Sequence, residues 1–149
     1  MKLRIYLDTS VFSAYGDARA AERRALTIEF WQRLQDFEVS TSDVARQELE
    51  TTPDLHRRKA LFSLLDPITV HPVTPEMGAL AKIHVERGVF APTSLNDALH
   101  VAAAVLTRQD ILVSWNFRHL VNRRRRALIN ELNVAGDLPT IEIVAPPEV

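Results

Sequence analysis

The sequence contains no cysteine, which excludes disulfides and thiolate metal centres alike. An excess of charge of either sign is also missing. The formal net charge is only -1, so a nucleic-acid partner has to be held by a local patch rather than by the overall field. No apolar run approaches the length of a membrane span. The N-terminal apolar stretch, interrupted by Lys2 and Arg4, is too short for the apolar core of a signal peptide. Internal repeats, low-complexity segments and linkers are absent too. These absences lead us to expect a cytoplasmic protein with no membrane association, folded as a single domain over residues 1–149.

What is present is organised around residues 3–10. Leu3, Ile5 and Leu7 alternate with Arg4 and Tyr6, and the run breaks into Asp8-Thr9-Ser10. That pattern predicts a short strand ending in an acid and two hydroxyls, whose simplest role is to cap a helical turn through Val11-Phe12-Ser13. A helix is expected over 18–35, where Leu26, Phe30 and Leu34 recur every fourth residue. A second strand at 37–41 leads through Ser42-Asp43 into a helix over 44–50, followed by a helix over 55–65. A third strand at 68–70 precedes a helix over 76–87, which Gly88 ends. Ser94-Leu95-Asn96-Asp97 reads as a capping box for a helix whose residues 98–106 are apolar nearly all round. A fourth strand at 111–114, a helix over 123–132 and a last strand at 140–144 complete the chain. Strands separated by helices throughout imply an α/β domain, with a mostly parallel sheet of about five strands and helices on both faces.

Parallel strands share a direction, so their carboxyl ends lie along one edge of the sheet, where ligands of open α/β sheets bind. Asp8 follows the first strand, Glu48 lies on the helix leaving the second, and Asp97 is in the first turn of the apolar helix. Three carboxylates without a basic partner repel one another, and a hard divalent cation would relieve that repulsion. Each acid also has a plainer role. Asp97 fits the capping box, Glu48 can be a solvated helical residue with Glu50 as its rival, and Asp43 starts a helix. Asp110 precedes the fourth strand and falls at the wrong end of the sheet.

Four blocks give the chain a resemblance to a family. They are Leu7-Asp8-Thr9-Ser10-Val11-Phe12, Ser42-Asp43-Val44-Ala45-Arg46-Gln47-Glu48-Leu49, Asn96-Asp97-Ala98-Leu99-His100-Val101-Ala102-Ala103-Ala104, and Ile111-Leu112-Val113-Ser114-Trp115-Asn116-Phe117-Arg118-His119-Leu120. Taken in this order they resemble the PIN-domain ribonucleases of the VapC-like toxin type. The resemblance implies a three-layer, Rossmann-like PIN domain and endonucleolytic cleavage of RNA by a water activated on Mg²⁺ or Mn²⁺. It places metal-binding acids at Asp8, Glu48 and Asp97, preferring Glu48 to Glu50. Many members carry a fourth catalytic acid where this chain has Asn116, an uncharged substitute. Thr9 and Ser114 are then outer-shell hydroxyls. The resemblance further implies a protein antitoxin as partner and a homodimer. The alternative is a PIN-like module that binds RNA or protein without cutting.

For holding RNA, Arg118 and His119 follow the fourth strand closest to the proposed edge, and Arg46 lies one turn before Glu48. The run Arg123-Arg124-Arg125-Arg126 is the densest basic stretch, but consecutive residues do not share a helix face, which favours a solvated role. His100 is expected to be a satisfied core residue, and Trp115, just past an inner strand, to be core rather than a base-stacking platform.

Overall fold

In the computed structural model, which describes residues 1–149, every strand pairing is parallel. The elements are β1 (Arg4–Leu7), α1 (Thr9–Tyr15), α2 (Ala21–Trp31), β2 (Glu38–Ser42), α3 (Asp43–Glu50), α4 (Leu55–Leu65), β3 (Thr69–His71), α5 (Pro75–Glu86), α6 (Leu95–Leu106), β4 (Ile111–Val113), α7 (Arg123–Ala135) and β5 (Glu142–Val144). Strand order is β3-β2-β1-β4-β5, with β1 at the centre. The expected α/β class with about five strands is what the chain forms, and the sheet is wholly rather than mostly parallel.

The central strand is buried on both faces. Ile5 and Leu7 point into a core with Ile111 and Val113, closed by Phe12, Phe30, Leu49 and Leu61 of α1, α2, α3 and α4. Tyr6 points the other way with Leu112 and Ile143, into a core closed by α5, α6 and α7. The period-two alternation thus sorts residues between two cores rather than between core and water, as parallel strands require. Leu3, at the head of the alternation, lies outside β1 and is exposed.

Two predicted features change. The helix expected over 18–35 begins only at Ala21, and after Trp31 the chain tightens into a 3₁₀ turn at Leu34–Asp36. The late start has a local cause. Asp17 accepts from the Arg19 backbone N–H at 3.0 Å and its carbonyl accepts from Ala20 N–H at 3.2 Å, so residues 17–20 make a turn that competes with helix. The capping box at Ser94 does not form. A 3₁₀ turn at Pro92–Ser94 runs directly into α6, leaving Ser94 outside extended cap geometry and its side chain unbonded to the helix. Asp97 is therefore free of the plainer role that its spacing suggested.

The end of α5 is set by Gly88, whose φ of +77° lets Val89 N–H return to the His84 carbonyl at 2.9 Å. That turn sends Val89 and Phe90 into the core. His84 itself is fully buried, and neither its ring nitrogens nor the facing Asn133 amide has a hydrogen-bond partner. Burial holds the His84 pKa below its ordinary value. A depressed imidazole pKa means the unfolded chain binds the proton first, so stability is present above the ordinary value of 6.5 and is lost as pH falls through the folded one. His84→Leu should therefore gain on the parent protein as pH drops from about 7.5 to about 5, read by calorimetric melting. A difference between the two that does not vary with pH would contradict this.

Candidate active site

Asp8 stands at the carboxyl end of β1, only 4% exposed, with its backbone N–H on the Val113 carbonyl at 3.1 Å. A buried carboxylate needs donors, and it has three. Its Oδ1 accepts from the Ser10 N–H at 2.9 Å and from the Ser10 hydroxyl, and its Oδ2 accepts from the Ser114 hydroxyl at 2.7 Å. The first of these makes Asp8 the N-cap of α1, so the capping role read from the sequence is filled by the same side chain that faces the edge. Ser10 and Ser114 also fix the loop after β4, accepting from the N–H groups of Trp115 and Asn116 at 2.9 Å each.

Glu48 arrives from α3, whose start is capped by Ser42. Its Oε1 accepts from the Thr9 hydroxyl at 2.7 Å and from His100 Nε2 at 2.7 Å. On the far side of the ring, Nδ1 lies 2.7 Å from the Tyr6 hydroxyl, which lies 2.6 Å from Ser42 Oγ. The chain of bonds closes on itself: Ser42 starts the helix that carries Glu48, and through Tyr6 and His100 it also reaches the glutamate's carboxylate. Burial pushes Glu48 toward the neutral form, but the bond and charge of His100 and the bond from Thr9 outweigh it and hold the pKa below the usual range. Glu50, the sequence rival, is exposed on the other side of α3.

Asp97 is the opposite case. It lies half-buried in the first turn of α6, and its only side-chain bond is a long one, 3.4 Å from Asn116 Nδ2. Burial raises its pKa, the charges of Asp8 and Glu48 raise it further, and His100 and His119 act against them. The three predicted acids therefore sense one another along one edge of the sheet. One is pinned by donors, one is paired with histidine, and one keeps a raised pKa with no ion pair of its own.

The other predicted residues divide. Thr9 and Ser114 touch the acids as expected, Thr9 on Glu48 and Ser114 on Asp8. Asn116 Oδ1 accepts from the His119 N–H at 2.9 Å, which turns the amide nitrogen, not the oxygen, toward Asp97. The reverse orientation would face an NH₂ against an N–H. Arg118 is exposed and His119 half-buried beside the edge, while Arg46 is tied to Asp43 in an ion pair along α3. Asp110 bonds the Arg4 N–H at 2.8 Å at the opposite end of the sheet, where the sequence places it. Trp115 is core, its indole N–H donating to Thr27 at 2.9 Å.

Sequence reasoning missed Ser10, Tyr6 and the tie of His100 to Glu48. His100 is a satisfied buried residue, as expected, but what satisfies it is the site itself. Its spacing of three from Asp97 puts both on one helix face, a signal that was available.

No group of three or more acid or histidine side chains closes around a point that could hold a metal ion. The donor chemistry still suits a hard divalent cation as an open site. The side-chain groups that the three acids offer are all oxygens, and Asp97 makes no ion pair and only one long hydrogen bond.

Asp97 and His100 should move stability in opposite directions. A carboxylate with a raised folded pKa keeps its proton longer than the unfolded chain does, so stability falls as pH rises above its ordinary value of 3.8. Asp97→Asn in EDTA should melt about 2–4 °C higher than the parent at neutral pH, a gain that vanishes near pH 4. His100→Ala leaves buried polar groups unpaired and should melt about 4–8 °C lower. Calorimetry checks both signs, and an Asp97→Asn that melts lower at neutral pH would contradict the electrostatic reading.

The model of the PIN domain family matches residues 5–119. No curated protein matches the sequence significantly. Among solved structures, the chain resembles FitAcB from Neisseria gonorrhoeae (TM-score 0.58, 14% identity, 97% of this chain and 99% of that one). It also resembles VapBC2 from Rickettsia felis bound to a promoter DNA fragment (TM-score 0.57, 13% identity, 96% and 98%). A third is VapC20 from Mycobacterium tuberculosis, a Sarcin-Ricin loop cleaving toxin (TM-score 0.57, 21% identity, 72% and 86%). The family match runs from the central strand past Asp8, Glu48 and Asp97 to the loop after β4, and with it the chain belongs to the PIN domain family.

Proposed function

We propose that the protein is a Mg²⁺- or Mn²⁺-dependent endoribonuclease, the toxin of a toxin–antitoxin pair, hydrolysing RNA phosphodiester bonds to leave 5′-phosphate and 3′-hydroxyl ends. The observation that carries this reading is the convergence of Asp8, Glu48 and Asp97 from three elements, with Asp97 in no ion pair and its pKa raised by burial and by the other two acids against the opposing His100 and His119. Membership of the PIN family supports it, as does the likeness to VapC20, a Sarcin-Ricin loop cleaving toxin.

Asp8 and Asp97 would hold the cation through their carboxylate oxygens, and Glu48 through Oε2 or a water. A divalent ion bound there supplies Lewis acidity to the scissile phosphate and lowers the pKa of a bound water. The chain's own groups divide the remaining work. His100 and Thr9 keep Glu48 ionised and fixed in direction, which suits a permanent ligand. Asp97, whose pKa is raised by burial and by its acidic neighbours, would gain most from the arrival of a cation. Asn116 donates to Asp97 in place of a fourth acid, so this chain holds one metal ion more readily than two. Arg118 and His119 would meet phosphate beside the edge. A separate antitoxin polypeptide covering this edge, a homodimeric toxin and a cytoplasmic setting complete the reading.

A second reading, a PIN module that binds without cutting, draws on Asn116 at the fourth position and on the absence of a closed metal group. Cleavage of a mixed RNA pool decides between them. The purified protein with Mn²⁺ should cut, and EDTA should abolish cutting. Asp97→Asn should lower the rate by at least the roughly 100-fold typical of outer-shell losses at metal sites. RNA bound by folded protein but left intact with either metal would favour the second reading.

A further inference from the structure

A cleft of about 480 Å³ opens between the end of α5, the loop after β4 and the first turns of α7. Gly88 and Val89 form one wall, Phe117 and Arg118 a second, and Arg124 and Arg125 the third. No acidic residue lines it, and none of its three arginines is in an ion pair. The run at the start of α7 does not serve the helix. Four arginines there face the positive end of its dipole, with no acid in the first turn. Arg126 is committed inward, donating to the Ile143 carbonyl at 2.9 Å.

Phe117 is the second observation. The residue is 46% exposed although it sits two positions from the buried Trp115, against which its ring packs edge-on at 6.1 Å. Arg23 braces both rings, 5.0 Å from the indole and 5.8 Å from the phenyl centroid. An aromatic ring held in this way is a rigid platform rather than a frayed core residue. Arg125 connects the cleft to the catalytic edge. Its guanidinium lies 4.9 Å over the buried Phe90 ring and within electrostatic reach of Asp97.

We propose that this cleft is a nucleotide subsite, in which Phe117 stacks on an unpaired base and Arg118 and Arg124 grip the phosphates of single-stranded RNA flanking the bond to be cut. The proposal rests on the nuclease reading above and adds to it where the substrate lies and in what state. An exposed π-face calls for an unstacked base, which duplex RNA does not present. An acidic protein segment would satisfy the arginines but leaves the braced ring without a purpose.

The test is fluorescence anisotropy of a short labelled single-stranded RNA of mixed sequence, with the full chain in EDTA so that nothing is cut. Phe117→Ala should weaken binding roughly 5- to 150-fold, the range for loss of one stacked base. Phe117→Tyr should restore it. Arg118→Gln combined with Arg124→Gln should lower the salt dependence by about one to two phosphate contacts. All three residues line the solvent side of the cleft, and unchanged thermal melting shows that the variants fold. Binding by Phe117→Ala within about twofold of the parent overturns the subsite, as does a parent protein that does not bind the RNA. Loss of antitoxin binding rather than RNA binding in the arginine variant also overturns it, assigning the cleft to a protein partner. Cleavage with Mn²⁺ that is indifferent to Phe117 removes the subsite and leaves the nuclease. Phe117-dependent binding without cleavage supports the subsite and removes the nuclease.

Discussion

A carboxylate buried at the end of the central strand constrains everything around it. Asp8 is nearly inaccessible, and an ionised group in that position persists only if donors surround it. The donors come from α1 and from the loop after β4, so the cap of one helix and the path of the most distant loop are both referred to this side chain. Ser10 and Ser114 each bond the carboxylate and a backbone N–H, which ties the position of Asn116 to that of Asp8. The site's edge is thus built from the inside outward.

The three acids are not equivalent, and hydrogen bonding makes the difference. Glu48 gains a histidine and a threonine, and the His100 ring is itself held by Tyr6 from the central strand. Asp97 gains only a long bond from an amide and keeps the repulsion of its neighbours. The asymmetry gives one carboxylate a fixed direction and leaves another with a raised proton affinity. Replacing the family's frequent fourth acid with Asn116 softens that repulsion without removing it.

The fold was legible because its signals are local and repeated: apolar runs of strand length, helices between them, and acids directly following strands. The edge on which Asp8, Glu48 and Asp97 meet followed from parallel direction alone. Choosing Glu48 over Glu50 needed a family resemblance, since both sit on one short amphipathic helix. The rest depended on contacts that spacing does not encode. Ser94 looks like a capping residue, but Pro92 starts a 3₁₀ turn that carries it past the cap geometry. The bond from Tyr6 to His100 joins residues 94 positions apart across a sheet–helix interface. Phe117 and Arg124 become neighbours only because the loop after β4 folds back against α7.

The claim on which the functional reading turns is that Asp8 and Asp97, with Glu48, hold one divalent cation. Diffraction at the manganese edge from a crystal grown with Mn²⁺ tests it most directly. One strong anomalous peak between the Asp8 and Asp97 carboxylates, with Glu48 bound directly or through a water and the peak lost in Asp8→Asn, is the predicted result. A folded protein in well-ordered crystals with no peak at that edge, or with a peak indifferent to Asp8, would contradict it.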